Sequence, residues 1–279
     1  MEPRGHPVSE AGNLGVNIDV VAYNKAAWDR EVLGGENPWT KPVTPAQIIA
    51  ARAGHWSIVL TEQKPVPVAW FPQHPDLSGL SVLCLAAGGG QQGPILSAAG
   101  AAVTVFDNSS QQLAQDWAVA ERDELDLATV EGDAADLSVF ADESFDLIVH
   151  PVSNLFMPDI RSVWREAARV LKMGGVLLSG FMNPDIYVFE PEPADEKYVA
   201  QFSLPYSDLQ LDPVERRKHY GDSPIEFSHT LAEQIGGQLD AGLHITAFYE
   251  DRHIGSQQAS RYMPTYFATR AVKGGEGRE

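Results

Sequence analysis

The residues whose types and spacing could do chemistry lie in the middle of the chain. The stretch GGGQQG, Gly88 to Gly93, places Gly88, Gly90 and Gly93 in the spacing G-x-G-x-x-G. Three missing side chains there would let a ligand approach the backbone, with the amides of a following helix turned towards it. About twenty residues on stands Asp107, whose carboxylate can accept hydrogen bonds from both hydroxyls of a ribose. The alternative for Asp107 is a helix cap, since Asp107, Asn108, Ser109 and Ser110 could simply open the next helix. Asp133, in GDAAD, is either a second ligand contact or a turn former. His150 closes an apolar run, and its imidazole titrates near neutrality. It could fix a ligand or take a proton, or be a buried, satisfied histidine.

These residues need elements to hold them. SVLCLA (81–86), AAVTVF (101–106), LATVE (127–131), SFDLIVH (144–150) and GVLLSGF (175–181) read as five strands, and their continuous apolar character predicts a parallel sheet covered on both faces. Between them, SSQQLAQDWAVAER sets Leu113, Trp117 and Ala120 on one helical face. DIRSVWREAARVLK does the same with Ile160, Val163, Trp164, Ala167 and Leu171. Alternating strand and helix predict an α/β, doubly wound fold with right-handed crossovers. LHITAFYED (243–251) and PTYFATRAV (264–272) add two strands whose short link permits only an antiparallel pairing, about seven in all. Ahead of the sheet, IDVVAYNKAAWDREV carries Val20, Tyr23 and Ala27 at helical spacing behind Asp19, and PAQIIAARAG begins a second helix at Pro45. A Thr230 to Glu233 capping box opens a late helix. The expected organisation is a tail at 1–15, a helical cover at 16–79, a core at 80–272 with an insertion at about 183–227, and a tail at 273–279.

The ordered series VLCLAAGGGQQG, VTVFDNS, VEGDAADLS, FDLIVHPVSNLF and RVLKMGGVLLSGF resembles the motifs of class I S-adenosylmethionine-dependent methyltransferases, closely over 81–182 and more loosely over 228–272. The resemblance implies a Rossmann-like fold, S-adenosylmethionine as cofactor and methyl transfer. By position, Ala86, Gly88 and Gly90 would hold the methionine part, Asp107 with Asn108 the ribose, and Asp133 with Ala134 the adenine. His150 would stand at the methyl end, touching cofactor or acting on the acceptor. Two departures stand out: Cys84 where an acid is common, and Ala86 where a first glycine is common. Tyr23 and Trp28 would belong to a helix folded across the cofactor, with Tyr23 against the sulfonium and Trp28 towards the acceptor, unless both are ordinary core aromatics. Ser153 and Asn154 after the fourth strand, and Asn183 and Tyr187 at the head of the insertion, are candidates for acceptor recognition. A nicotinamide oxidoreductase shares the glycines and the acid, but no Tyr and Lys stand four apart on a helix to give it a proton donor. A cofactor-binding protein without catalysis is the second alternative.

Composition narrows the acceptor. With 38 acidic and 20 basic residues among 279, the net charge of −18 repels phosphate backbones and anionic lipid, so a small molecule is expected rather than nucleic acid or membrane. The basic run Arg216, Arg217, Lys218 and His219 reads as a solvated face. One cysteine, Cys84, allows no internal disulfide and suits the cytoplasm. There is no HExxH, GxSxG or P-loop lysine motif, and no metal site is expected.

Overall fold

Odd and even residues of the central strands part company across a single sheet. In the computed structural model, which describes residues 18–189, 198–254 and 258–274, β1 (Ser81–Leu85) turns Val82 and Cys84 to one face and Leu83 and Leu85 to the other, all four fully buried. The same split runs through β4 (Phe145–His150), with Leu147 and Val149 opposed to Ile148. The remaining strands are β2 (Ala102–Asp107), β3 (Leu127–Glu131), β5 (Leu171–Met182), β6 (Leu243–Asp251) and β7 (Tyr266–Lys273). They make one seven-stranded sheet in the order β3-β2-β1-β4-β5-β7-β6. The first five run parallel, and β7 is antiparallel to both β5 and β6. The doubly wound, mostly parallel sheet with an antiparallel terminal pair is therefore present.

Helices cover both faces. One is lined by α2 (Pro45–Arg52), α3 (Gln92–Ala98) and α4 (Ser110–Asp123), through Ile48, Ile95, Leu96, Leu113 and Val119. The other is covered by α5 (Ile160–Val170), whose Ile160, Val163, Trp164, Ala167 and Val170 are buried, each large side chain contributing roughly 1.5 to 3 kcal/mol. Caps written in the sequence set the helix starts. Asp19 accepts the Ala22 amide at 3.0 Å and opens α1 (Val20–Gly34), Thr44 and Gln47 form a capping box before α2, and Ser109 accepts the Gln112 amide before α4. Thr230 and Glu233 also cap each other, ahead of a π-helical turn Ala232–Gly236 that continues into α7 (Gly237–Asp240).

Two expectations fail locally. β3 is an edge strand with no fully buried residue, because no strand covers its outer side. Trp117 is 57% exposed, since α4 rests on the sheet through Leu113 and Val119 but turns Trp117 outward. The expected tail at 1–15, and the last five residues of the closing one, lie outside the described residues. Among the described residues no helix is long and apolar enough to cross a membrane.

The insertion carries α6 (Pro213–Tyr220) and returns against the start of the chain. Asn24 of α1, itself buried, donates through Nδ2 to the Phe156 and Ile225 carbonyls (2.8 and 3.0 Å), and its Oδ1 accepts the Ile225 amide (2.7 Å). One side chain thus fastens the N-terminal helix, the turn after β4 and the insertion together. Phe227 adds an amide bond to the Leu155 carbonyl at 2.8 Å.

Candidate active site

The parallel strands β1, β2, β3 and β4 end at a common edge, and β5 ends beside them at Met182. A cleft of about 220 Å³ opens over this edge beneath α1. Open parallel sheets hold ligands at this carboxyl edge because the loops diverge there. The glycine-rich turn forms the floor. Ala86 leaves β1 at φ 46°, a left-handed conformation that alanine adopts at a cost of about 1 kcal/mol, and its amide donates to the Phe106 carbonyl at 2.7 Å. A side chain at Gly88 would sit 2.7 Å from Gln112 Cβ and 3.1 Å from Asp107 Oδ2, and one at Gly90 would sit 2.9 Å from Pro42. Glycine is required at both by close approach.

Asp107 ends β2 with Oδ2 accepting the Gly88 amide (3.0 Å) and Oδ1 accepting the Ser109 amide (2.9 Å). Burial pushes its pKa up, while the amides of Ser109, Gly88 and Asn108 pull it back. Its two oxygens offer about four acceptor positions against these three amides, and the residue lines the cleft, so capping and ligand binding are both open to it. Asp133 behaves similarly: its Oδ1 accepts the Ala135 amide at 3.0 Å and it lines the cleft beside Ala134.

Of the residues singled out from sequence, the structure brings Ala86, Gly88, Asp107, Asn108, Asp133, Ala134, Trp28 and Ser153 to the cleft. It sets six apart. Gly90 faces Pro42 and Gln115, behind the turn. Tyr23 points towards the insertion, accepting from Arg216 Nη1 at 3.1 Å, because α1 turns Val21, Asn24 and Trp28 to the cleft instead. His150 is fully buried: Nδ1–H donates to the Leu85 carbonyl (2.9 Å), the ring meets Trp164 edge-on, and burial lowers its pKa to about 4. It does not line the cleft, whose wall after β4 is formed by Pro151, Val152 and Ser153. Asn154 is buried against Gln234 (2.8 Å), Asn183 caps its own turn and donates to the Pro264 carbonyl (2.9 Å), and Tyr187 donates to Glu226 (2.8 Å).

The cleft also has walls that sequence reasoning missed. Trp39, Leu60 and Thr61 come from the proline-rich stretch, which shows no periodicity to flag them. Gln91 and Gln92 occupy the unassigned positions of the glycine motif itself. Met182 and Tyr266 were findable, because one ends β5 and the other begins β7, where an antiparallel pairing sets them side by side. Much of the wall is apolar and aromatic: Trp28, Leu60, Phe156, Met157, Met182 and Tyr266 line it. Trp28 meets Phe156 edge-on at 5.1 Å. The only charged residues lining the cleft are Asp107 and Asp133; no Lys, Arg or His lines it among the described residues.

A model of the methyltransferase domain matches residues 83–179, which include the glycine turn, Asp107, Asp133 and β4. The methyltransferase YbaJ of Bacillus subtilis (strain 168) is 49% identical over 257 residues, 91% of this chain and 98% of that protein. The chain is an S-adenosylmethionine-dependent methyltransferase of class I. Solved structures support the fold of this methyltransferase. That of an S-adenosylmethionine-dependent methyltransferase from Mesorhizobium loti matches with a TM-score of 0.56 at 18% identity, covering 71% of this chain and 93% of that one. A chain of the complex between the Trm112 methyltransferase activator and a methyltransferase from Haloferax volcanii matches at 0.52 and 19% identity, covering 93% and 100%.

The methyltransferase's cleft fits its cofactor. The bare turn at Gly88 leaves room for a ligand against the backbone, and Gln112, on the cleft wall, holds a buried Oε1 with no partner, an acceptor available to a ligand donor. Two carboxylates and no cation suit a ligand carrying a sulfonium and sugar hydroxyls. The nicotinamide alternative falls away with the family assignment.

Proposed function

We propose that this methyltransferase acts on a small, largely apolar acceptor in the cytoplasm, with no nucleic acid or membrane partner. The observation that carries the reading is the cleft wall itself: much of it is apolar or aromatic, from Trp28, Trp39 and Leu60 to Phe156, Met157 and Met182, and no basic side chain lines any of it. A nucleic acid acceptor would need cations near its phosphates, and the net charge of −18 works against one across the whole surface.

In this reading Asp107 accepts hydrogen bonds from the ribose, the turn from Ala86 to Gly88 carries the methionine part, and Asp133, Ala134 and Asn108 border the adenine. Trp28 and Ser153 face the acceptor. When bound, S-adenosylmethionine supplies a methyl carbon made electrophilic by its sulfonium. The chain's own contribution is alignment and exclusion of water: Trp28, Phe156 and Met182 line the cleft with carbon surface, which limits an acceptor's freedom and the competing water. Among the cleft residues only Asp107, Asp133 and Tyr266 carry ionisable side chains, and burial pushes the Tyr266 hydroxyl up, away from service as a base. The acceptor is accordingly one whose nitrogen, sulfur or oxygen offers a lone pair without help from a protein base.

The test is formation of S-adenosylhomocysteine against a panel of small aromatic and aliphatic amines, thiols and phenols, with oligonucleotides and anionic vesicles as parallel arms. Turnover confined to the small molecules is expected. Turnover only with nucleic acid or vesicles would overturn the reading.

A further inference from the structure

Behind the glycine turn, on the side away from the cleft, a second carboxyl group is buried that methyl transfer as described does not use. Asp116, on the inner face of α4, has no exposed surface. Its Oδ2 accepts the Gly89 amide at 2.9 Å, and it also takes a hydrogen bond from the Gly90 amide. Its Oδ1 has no partner at all. The Gly89 amide is shared with the Gln112 carbonyl at 3.1 Å, so α4 grips the turn twice at one residue. Gly89 and Gly90 lie at φ 112° and 73°, conformations that are costly to hold without such partners and that only glycine adopts readily.

Successive amides of the turn are therefore divided between two carboxyl groups: Gly88 to Asp107 at the cleft, Gly89 and Gly90 to Asp116 behind it. The strand beneath offers no acid for this task, because the β1 residue there is Cys84, whose thiol lies near enough to Asp116 for the carboxylate to push its pKa up further. We infer that Asp116 is a positioning residue for the cofactor, its carboxyl presetting the glycine turn from behind and adding negative charge behind the turn that would hold the cofactor's methionine part.

The surroundings give the inference a measurable signature. Of the titratable groups facing Asp116, Asp107 at the end of β2 and Cys84 on β1 contribute, and Asp29 of α1 acts on Asp107 in turn. From the remaining sides α3 presents Gly93, whose would-be side chain lies 3.3 Å from Asp116 Oδ1 and 3.3 Å from Leu127 of β3, and neither carries charge. No cation forms a salt bridge with Asp116 or Asp107 among the described residues. Burial, and secondarily Asp107, push the Asp116 pKa up to about 8, so the group ionises across the physiological range. A cationic ligand favours the ionised form, and cofactor affinity must then rise as pH climbs through that range.

The experiment is calorimetric titration of S-adenosylmethionine and S-adenosylhomocysteine into the full chain from pH 6.5 to 9, for the wild type, Asp116→Asn and Asp116→Ala. The ligand's own amino group titrates identically in all three proteins, so the difference between profiles isolates Asp116. We expect Asp116→Asn, which keeps an acceptor for the Gly89 amide, to bind within a few-fold of wild type at pH 6.5. It should lack the several-fold rise in preference for S-adenosylmethionine over S-adenosylhomocysteine that the wild type shows towards pH 9. Asp116→Ala should bind both ligands about tenfold more weakly throughout. If Asp116→Ala folds and binds as the wild type does, the inference is overturned. If it does not fold, parallel pH profiles for Asp116→Asn and wild type overturn it equally. Wild-type binding of S-adenosylhomocysteine is the control for the cofactor assignment.

Discussion

Replacing Asp107 by alanine tests the cofactor geometry most directly. The carboxylate holds the Gly88 amide at 3.0 Å and the Ser109 amide at 2.9 Å, with the Asn108 amide also bonded to it, and the residue lines the cleft. Hydrogen bonds to a charged group contribute about 1.5 to 3 kcal/mol each. Water can enter the space an alanine leaves and recover part of that, so the net loss of cofactor affinity should be about 1 to 3 kcal/mol. At about 1.4 kcal/mol per tenfold change, this is roughly a 5- to 150-fold rise in Kd for S-adenosylhomocysteine by calorimetry. Asp107→Asn should fall between, because one of the two acceptor oxygens becomes an NH2 that faces donors, leaving a single carbonyl oxygen for the bonds the carboxylate shares between two. A thermal melt separates binding from folding, since the orphaned amides belong to the scaffold as well. An Asp107→Ala protein that melts cooperatively and binds S-adenosylhomocysteine with wild-type affinity would show that the ribose is held elsewhere.

Three further outcomes follow from the same structure. Asn24→Ala removes three hydrogen bonds, two of them buried, at the junction of α1, the Phe156 turn and the insertion, and should cost about 2 to 4 kcal/mol in chemical denaturation; a cost under about 1 kcal/mol would mean that junction is held by other contacts. Ala86→Gly relieves the left-handed strain at φ 46°, about 1 kcal/mol, against roughly 0.5 kcal/mol of added unfolded-state entropy, so stability should stay level or rise slightly; a clear loss would contradict the backbone assignment. His150, neutral in the fold with a pKa lowered from 6.5 to about 4 by burial, binds more protons when unfolded between those values. Its contribution is present above pH 6.5 and is lost as pH falls towards 4, up to about 3 kcal/mol. His150→Asn should flatten that part of the stability profile, and an unchanged slope would place the titration on another group.

The sheet was legible because its interior is: doubly buried strands such as 81–85 and 145–150 must be continuously apolar, and the short link from 251 to 266 forces an antiparallel return. The caps Asp19, Thr44 and Ser109 were equally plain, since each is a local matter of one side chain and one amide. The part of the cleft built from turns that follow strands directly was readable for the same reason. The rest was not. Trp39, Leu60 and Thr61 reach the cleft from an irregular segment, and the direction in which Tyr187 and Asn154 point depends on long-range partners, Glu226 and Gln234, that no local pattern reveals. His150 occupies the position expected of it in the chain, at the tip of β4, but strand alternation turns its ring inward against Trp164 while the following residues take the surface.

The charge of the cleft, borne by two aspartates alone among the described residues, bears on turnover as well as on binding. Methyl transfer converts a sulfonium into a neutral thioether, so the ligand that leaves carries one positive charge fewer than the ligand that entered. A wall whose only charges are two aspartates draws in the reactant and has a weaker electrostatic grip on what remains, and each catalytic cycle thereby loosens the hold that began it.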